Sequence, residues 1–210
     1  MARKKQSKAT AKSSRANDRR SASTAAKAAR PARTGTATKS GSSWAEWFTR
    51  APGERRYWLA KSEPDVFSFD DLLRAPGQTT GWDGVRNYTA RNFLRSGMRR
   101  GDLVFFYHSN AEPSAMVGIC EVVREGYPDP TAFDPADPHF DPDSDPADPT
   151  WYQVDVRAVE RLPRPVTLPE LKRHKALAGM ALLRMGRLSV TPVREREWET
   201  ILRLAADRST

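Results

Sequence analysis

Leu103-Val104-Phe105-Phe106-Tyr107-His108-Ser109-Asn110 is an unbroken apolar run that stops on three polar side chains. Five consecutive large apolar residues leave no wet face, so the run predicts a strand covered on both sides of a sheet. Its polar end would then lie where the buried sheet meets solvent. Upstream, Asn87 is a suitable N-cap for a helix over residues 88–96, with Ala90, Phe93 and Leu94 at helical spacing and Gly97 as its stop. Ser68 and Asp71 have the spacing of a capping box for a short helix ending at Arg74. Tyr57-Trp58-Leu59-Ala60 predicts a first strand, closed by a turn at Lys61-Ser62-Glu63-Pro64.

Downstream, Ala115 to Val123 predicts a strand in which Gly118 marks a bulge or a close backbone approach. Tyr152, Val154, Val156 and Ala158 alternate with polar residues, the pattern of a strand with one wet face. Thr167 and Glu170 predict another capped helix, and Leu188-Ser189-Val190 a last short strand. Trp198, Ile201, Leu202 and Ala205 form the stripe of a C-terminal helix. The strands are not joined by regular helical crossovers, which disfavours a doubly wound sheet. The expected class is α+β, a mixed β-barrel with short helices around it.

The chain has 210 residues and a net charge of +9, unevenly placed. Residues 1–43 hold 12 Lys or Arg against one acid, Asp18, a net of +11, while the remainder is −2. Apart from Met1 this tail has no large apolar side chain, so it is expected to be disordered. It can be read as a transit peptide lacking its apolar face, as a solubilising tail, or as an arm that neutralises phosphates, the reading its charge fits best. The expected organisation is a tail over 1–43, a linker over 44–56 in which Trp44, Trp47 and Phe48 can turn onto the body, and one domain over 57–206. The absence of a long apolar stretch and of a secretory signal points to an intracellular protein, cytoplasmic or nucleoid-bound in a bacterium and nuclear in a eukaryote. A monomer is expected.

Phosphate-loop, dinucleotide, zinc-protease and serine-hydrolase motifs are all missing. The single cysteine, Cys120, lies in an apolar strand and reads as a packing residue. Residues 125–150 interleave seven aspartates with seven prolines. Pro146 and Tyr152 stand where a calcium loop needs Gly and Glu, so the segment reads as a stiff, solvated loop. No cofactor or metal is expected.

Four polar segments adjoin buried strands: Lys61-Ser62-Glu63, Trp82 to Asn87, Tyr107 to Asn110, and Gly186 to Val190. If they meet at one barrel mouth they supply a nucleobase pocket. Trp82 and Tyr107 would stack, while Ser62, Glu63, Asn87, Ser109 and Asn110 would read the base edge. Arg86 or Lys61 would hold a phosphate, and His108 could do either. The plainer alternative is that Trp82 and Tyr107 are core aromatics and that Ser62 and Asn87 are caps.

These segments resemble the EVE domain family of the PUA-like superfamily. The likeness is carried by Lys61-Ser62-Glu63-Pro64, by Trp82-Asp83-Gly84-Val85-Arg86-Asn87-Tyr88 with Ala90-Arg91-Asn92-Phe93, and by Tyr107-His108-Ser109-Asn110. It extends to Tyr127-Pro128-Asp129-Pro130-Thr131-Ala132-Phe133 and Gly186-Arg187-Leu188-Ser189-Val190, so it runs from Tyr57 to about Leu204. It implies a PUA-like barrel without catalytic machinery. It also implies a pocket for a modified base, of the methylated or hydroxymethylated cytosine class, formed by the residues above together with Val85 and Ser189. Thr89 and Thr191 depart from the family's Gln, and Arg194 from its Ser N-cap. The expected partner is nucleic acid, DNA before RNA. Rival readings are a nuclease or base-processing hydrolase using Glu63, Asp83 and His108, and a protein-interaction scaffold.

Overall fold

A computed structural model describes residues 44–207 of the chain; the expectations for the tail over 1–43 lie outside the described residues. Among these residues six strands form one mixed sheet: β1 (Tyr57–Ser62), β2 (Thr79–Gly81), β3 (Leu103–His108), β4 (Ala115–Pro128), β5 (Tyr152–Thr167) and β6 (Val190–Val193). Their order is β2-β5-β4-β3-β1-β6. Only β1 and β3 run parallel. Among the described residues no ladder joins β2 to β6, so hydrogen bonding leaves the expected barrel open at that seam.

The apolar run of β3 is explained by its two neighbours and two covers. Alternate residues divide between two cores. Trp58, Ala60, Val104 and Phe106 enter one, and Leu59, Phe105 and Tyr107 enter the other. Side chains of a strand point alternately to opposite faces, so a strand feeding two cores has no room for a polar residue. Gly118 on β4 pairs with Phe106, beside a register shift. A β-carbon there would stand 2.3 Å from the Phe69 ring, so the close approach read from the sequence is real. Cys120 is buried, and burial pushes its thiol far up from the ordinary value.

β4 and β5 are much longer than the alternation suggested, because bulges let them bend without losing their partner. β2 had no signal of its own; it is held by β5. Among the described residues five helices surround the sheet: α1 (Phe69–Arg74), α2 (Tyr88–Asn92), α3 (Leu168–Arg173), α4 (Ala181–Arg184) and α5 (Glu195–Ala206). α2 continues as one wider turn over Phe93–Gly97. Ser68 and Asp71 form the expected reciprocal cap on α1, at 3.1 and 2.8 Å. α5 lacks a side-chain cap from Arg194, and the Glu197 carboxylate instead accepts the Arg194 N–H at 2.9 Å.

The segment expected as a linker packs on the body through Trp44, Trp47 and Phe48, as expected of those three residues. Trp44 meets Phe93 edge-on at 5.3 Å, and Trp47 lies 5.6 Å from Trp58. Arg50 donates two bonds of 2.8 Å to Asp102, which is almost wholly buried and also accepts the Trp58 indole N–H. Linker composition and a Pro-Gly turn conceal an ion pair whose partners lie 52 residues apart.

Candidate nucleic-acid interface

The parallel pairing of β1 and β3 brings two expected segments together at their carboxyl ends, Lys61 beside Tyr107 and Ser62 beside His108. The Lys61 backbone N–H donates to the Ser189 carbonyl at 2.8 Å, and its ammonium to the Gly186 carbonyl at 2.6 Å, which adds a third. The Ser109 N–H donates to the Ser62 carbonyl at 2.9 Å, and the Asn110 amide to the Glu63 carboxylate at 2.7 Å. The Ser62 hydroxyl donates to the Phe67 carbonyl at 2.6 Å. These polar groups therefore hold one another in place. Burial lowers the Lys61 pKa.

His108 Nε2 accepts the Phe69 N–H at 3.1 Å, one of the free amides in the first turn of α1. An accepting Nε2 fixes the neutral tautomer, with the proton on Nδ1. Burial lowers the His108 pKa, helped by Arg161 and opposed by Asp70. The neutral form is thus favoured in the fold. That contribution is complete above the unfolded value of ~6.5 and declines as pH falls below it, levelling off below the folded value. His108→Gln should retain the bond to Phe69 through its amide oxygen, and should flatten this part of the stability profile below about pH 6.5. Superimposable denaturation profiles for the two proteins would refute the assignment.

The fourth segment reaches the site through the core. Trp82 is 7 % exposed and meets Phe106 edge-on at 5.2 Å, and Phe106 in turn packs edge-on against His108 at 5.6 Å. Tyr107 is 3 % exposed, and Val85 is also buried. The stacking faces expected of Trp82 and Tyr107 are therefore corrected: both rings are core residues, because the sheet is covered on both sides. Asn87 is likewise a cap, its side-chain oxygen accepting the Thr89 and Ala90 N–H groups at 3.0 and 3.1 Å.

Arg86 is engaged within the protein rather than free for a phosphate. Its guanidinium donates to Asp129 at 2.7 Å, to Thr131 at 2.9 Å and to the His139 carbonyl at 2.5 and 2.8 Å. Asp129 is 0 % exposed and also accepts the Gly84 N–H at 3.0 Å. Burial works against its charge, but the donors from Arg86 and Thr131 prevail and hold its pKa below the ordinary carboxylate value. The Asp-Pro loop is thus not merely solvated, since Asp129 anchors the 82–87 segment from inside. Asp83 is pushed the other way, by burial and then by the Asp129 charge.

No hydrogen bond or ion pair links Glu63, Asp83 and His108 with one another. A cavity of about 560 Å³ lies between Glu46–Tyr57 and Val193–Arg196, with smaller ones of about 280 and 110 Å³ nearby, and none of the expected residues lines them. The Phe67 carbonyl and the Phe69 N–H also belong to the candidate site but were missed, because backbone groups carry no residue signal.

Residues 56–204 match the family model described as EVE domain. Thymocyte nuclear protein 1 of Mus musculus is 46% identical over 165 residues, covering 70% of this chain and 73% of that protein. The crystal structure of the DUF55 domain of human thymocyte nuclear protein 1 is 43% identical, covers 71% of this chain and 98% of its own, and superposes with a TM-score of 0.69. The human THYN1 protein in complex with 5-methylcytosine containing DNA is also 43% identical, covering 73% and 99%, with a TM-score of 0.70.

Proposed function

The chain belongs to the EVE domain family, and from that premise we propose that it is a non-catalytic reader of DNA that recognises a methylated or hydroxymethylated cytosine. The observation that carries this reading is the relative of similar fold bound to 5-methylcytosine containing DNA. The local chemistry supports it. At the carboxyl ends of β1 and β3 stand a carboxylate acceptor, Glu63, and two donors, Lys61 and the His108 Nδ1–H. Cytosine presents the complementary set, an exocyclic amine with a ring nitrogen and a carbonyl. Ser62, Ser109, Asn110 and Ser189 complete the polar rim. Reading a base edge this way requires the base to leave the stack. Trp82 supports the rim from the core through Phe106, which packs on His108, and Tyr107 lies paired beside Lys61. We take the bulged sheet to be the wall of a PUA-like barrel, and the basic tail to add salt-sensitive phosphate affinity. The working form is a monomer, in the compartment that holds DNA.

The test is titration of the full chain with oligonucleotides that differ only in carrying cytosine, 5-methylcytosine or 5-hydroxymethylcytosine. Tighter binding of a modified form with no change to the oligonucleotide is expected. Equal affinity for all three, or turnover, would refute the proposal.

A further inference from the structure

Where α2 passes the paired ends of β4 and β5, arginines alternate with aromatic rings. The Arg86 guanidinium lies 5.4 Å from the centre of the Trp151 ring, and Tyr88 packs on the same ring at 5.1 Å. Arg91 lies over Tyr88 at 5.0 Å, Arg95 over Tyr152 at 5.7 Å, and Arg124 over Tyr127 at 3.5 Å. The pairs are contiguous. Trp151 and Tyr152 are chain neighbours, Arg91 and Arg95 are about one helical turn apart, and Tyr127 pairs with Gln153 beside Tyr152. Gly126 sets this proximity, since a β-carbon there would come within 2.6 Å of the Leu94 carbonyl oxygen and 2.8 Å of the Arg95 Cα.

Two features distinguish this track from ordinary solvated charge. Among the described residues, Arg91, Arg95 and Arg124 have no carboxylate within ion-pair distance, whereas the exposed Arg74, Arg157 and Arg161 pair with Asp71, Glu121 and Asp70. Burial and the neighbouring Arg95 charge lower the Arg91 pKa, and its buried Nε has no partner. The rings are also held ready. Tyr88 is 62 % exposed yet packed on Trp151, and Tyr127 donates its hydroxyl to Asp155, staying protonated with a pKa pushed up to about 12 by burial and that carboxylate.

We propose that this track binds an unpaired nucleic-acid strand, with a base against Tyr88 and phosphates against Arg91, Arg95 and Arg124. The choice of nucleic acid rests on the function proposed above; the strand contacted is the one flanking the base that is read. Alternating rings and cations suit unpaired nucleotides, since a base within a duplex offers neither face for stacking.

The full chain would be titrated with an unmodified single-stranded oligonucleotide, the same sequence as a hairpin duplex, and a heparin oligosaccharide. Tyr88→Ala should weaken single-strand binding by about 5- to 150-fold, with a smaller loss on the hairpin, and Tyr88→Phe should restore most of it. Arg95→Gln combined with Arg124→Gln should reduce the slope of log affinity against log salt by about 1.4. All three side chains are exposed, so melting should be unchanged. Wild-type affinity and slope in these variants, equal losses on the hairpin, or an equal Tyr88→Ala loss on heparin would overturn the track. If modified cytosine is preferred but the variants bind like wild type, the track alone fails. If there is no such preference but the losses appear on the single strand, the base-reading function fails and the track stands.

Discussion

Asp129→Ala is expected to destabilise the protein by about 3–5 kcal/mol, the usual result of removing one partner from a buried ion pair. Asp129 is fully buried, and its two oxygens receive donors from Arg86, Gly84 and Thr131. Its removal leaves the Arg86 guanidinium, whose side chain is only 21 % exposed, without its counter-charge. Arg86 retains its bonds to Thr131 and the His139 carbonyl, which places the loss nearer the lower end. The double variant Arg86→Ala/Asp129→Ala should be less destabilised than the sum of the two single variants, because it leaves no orphaned charge. Denaturant titration of the four proteins measures this coupling. Additive losses, or a loss under about 1 kcal/mol for Asp129→Ala, would show that the pair is not what holds the 82–87 segment.

The features that were legible in the sequence are local ones. The Ser68 and Asn87 caps, the Gly97 stop and the stripe of α5 each depend on residues within about one or two helical turns. The double-sided burial of β3 was legible too, because five apolar residues in a row have only that explanation in a strand. Of the candidate site, the polar strand ends were singled out in the sequence, and the structure adds the pairing that brings them together. Lys61, Ser62, His108 and Ser109 meet because two apolar runs end on polar residues and the runs pair in parallel. What failed was the assignment of free valences. Arg86 looks available until its partner is found 43 residues away. Asp129 looks solvated among six other aspartates, yet it alone of the seven is fully buried. The alternating rings and arginines were invisible for the same reason, being contributed by α2, β4 and β5 together. The resemblance placed the segments in a family, but it could not say which of their side chains remain free for a ligand.

Trp82→Ala decides between the two roles the Trp82 ring could have. A stacking residue at a pocket mouth would lose roughly 1–3 kcal/mol of affinity and leave the fold intact. The structure instead puts the ring in the core cluster with Phe106, Val85 and Phe69, and anchors its backbone by a 2.8 Å bond to the Val154 carbonyl. Truncating a large buried aromatic costs about 3–5 kcal/mol of stability, through lost transfer energy and the cavity left behind. For an ordered body of this size that corresponds to a fall in melting temperature of about 6–20 °C. Phe106 packs on both Trp82 and His108, so the cavity would also loosen the support of His108. Discrimination between cytosine and 5-methylcytosine should therefore weaken together with stability, and Trp82→Phe should recover part of both. Calorimetry and oligonucleotide titration on the same preparation separate the cases. An unchanged melting temperature with lost discrimination would return Trp82 to the pocket as a stacking face. A large fall in melting temperature, with discrimination intact below the transition, would confine Trp82 to the core and detach Phe106 from the reading of the base.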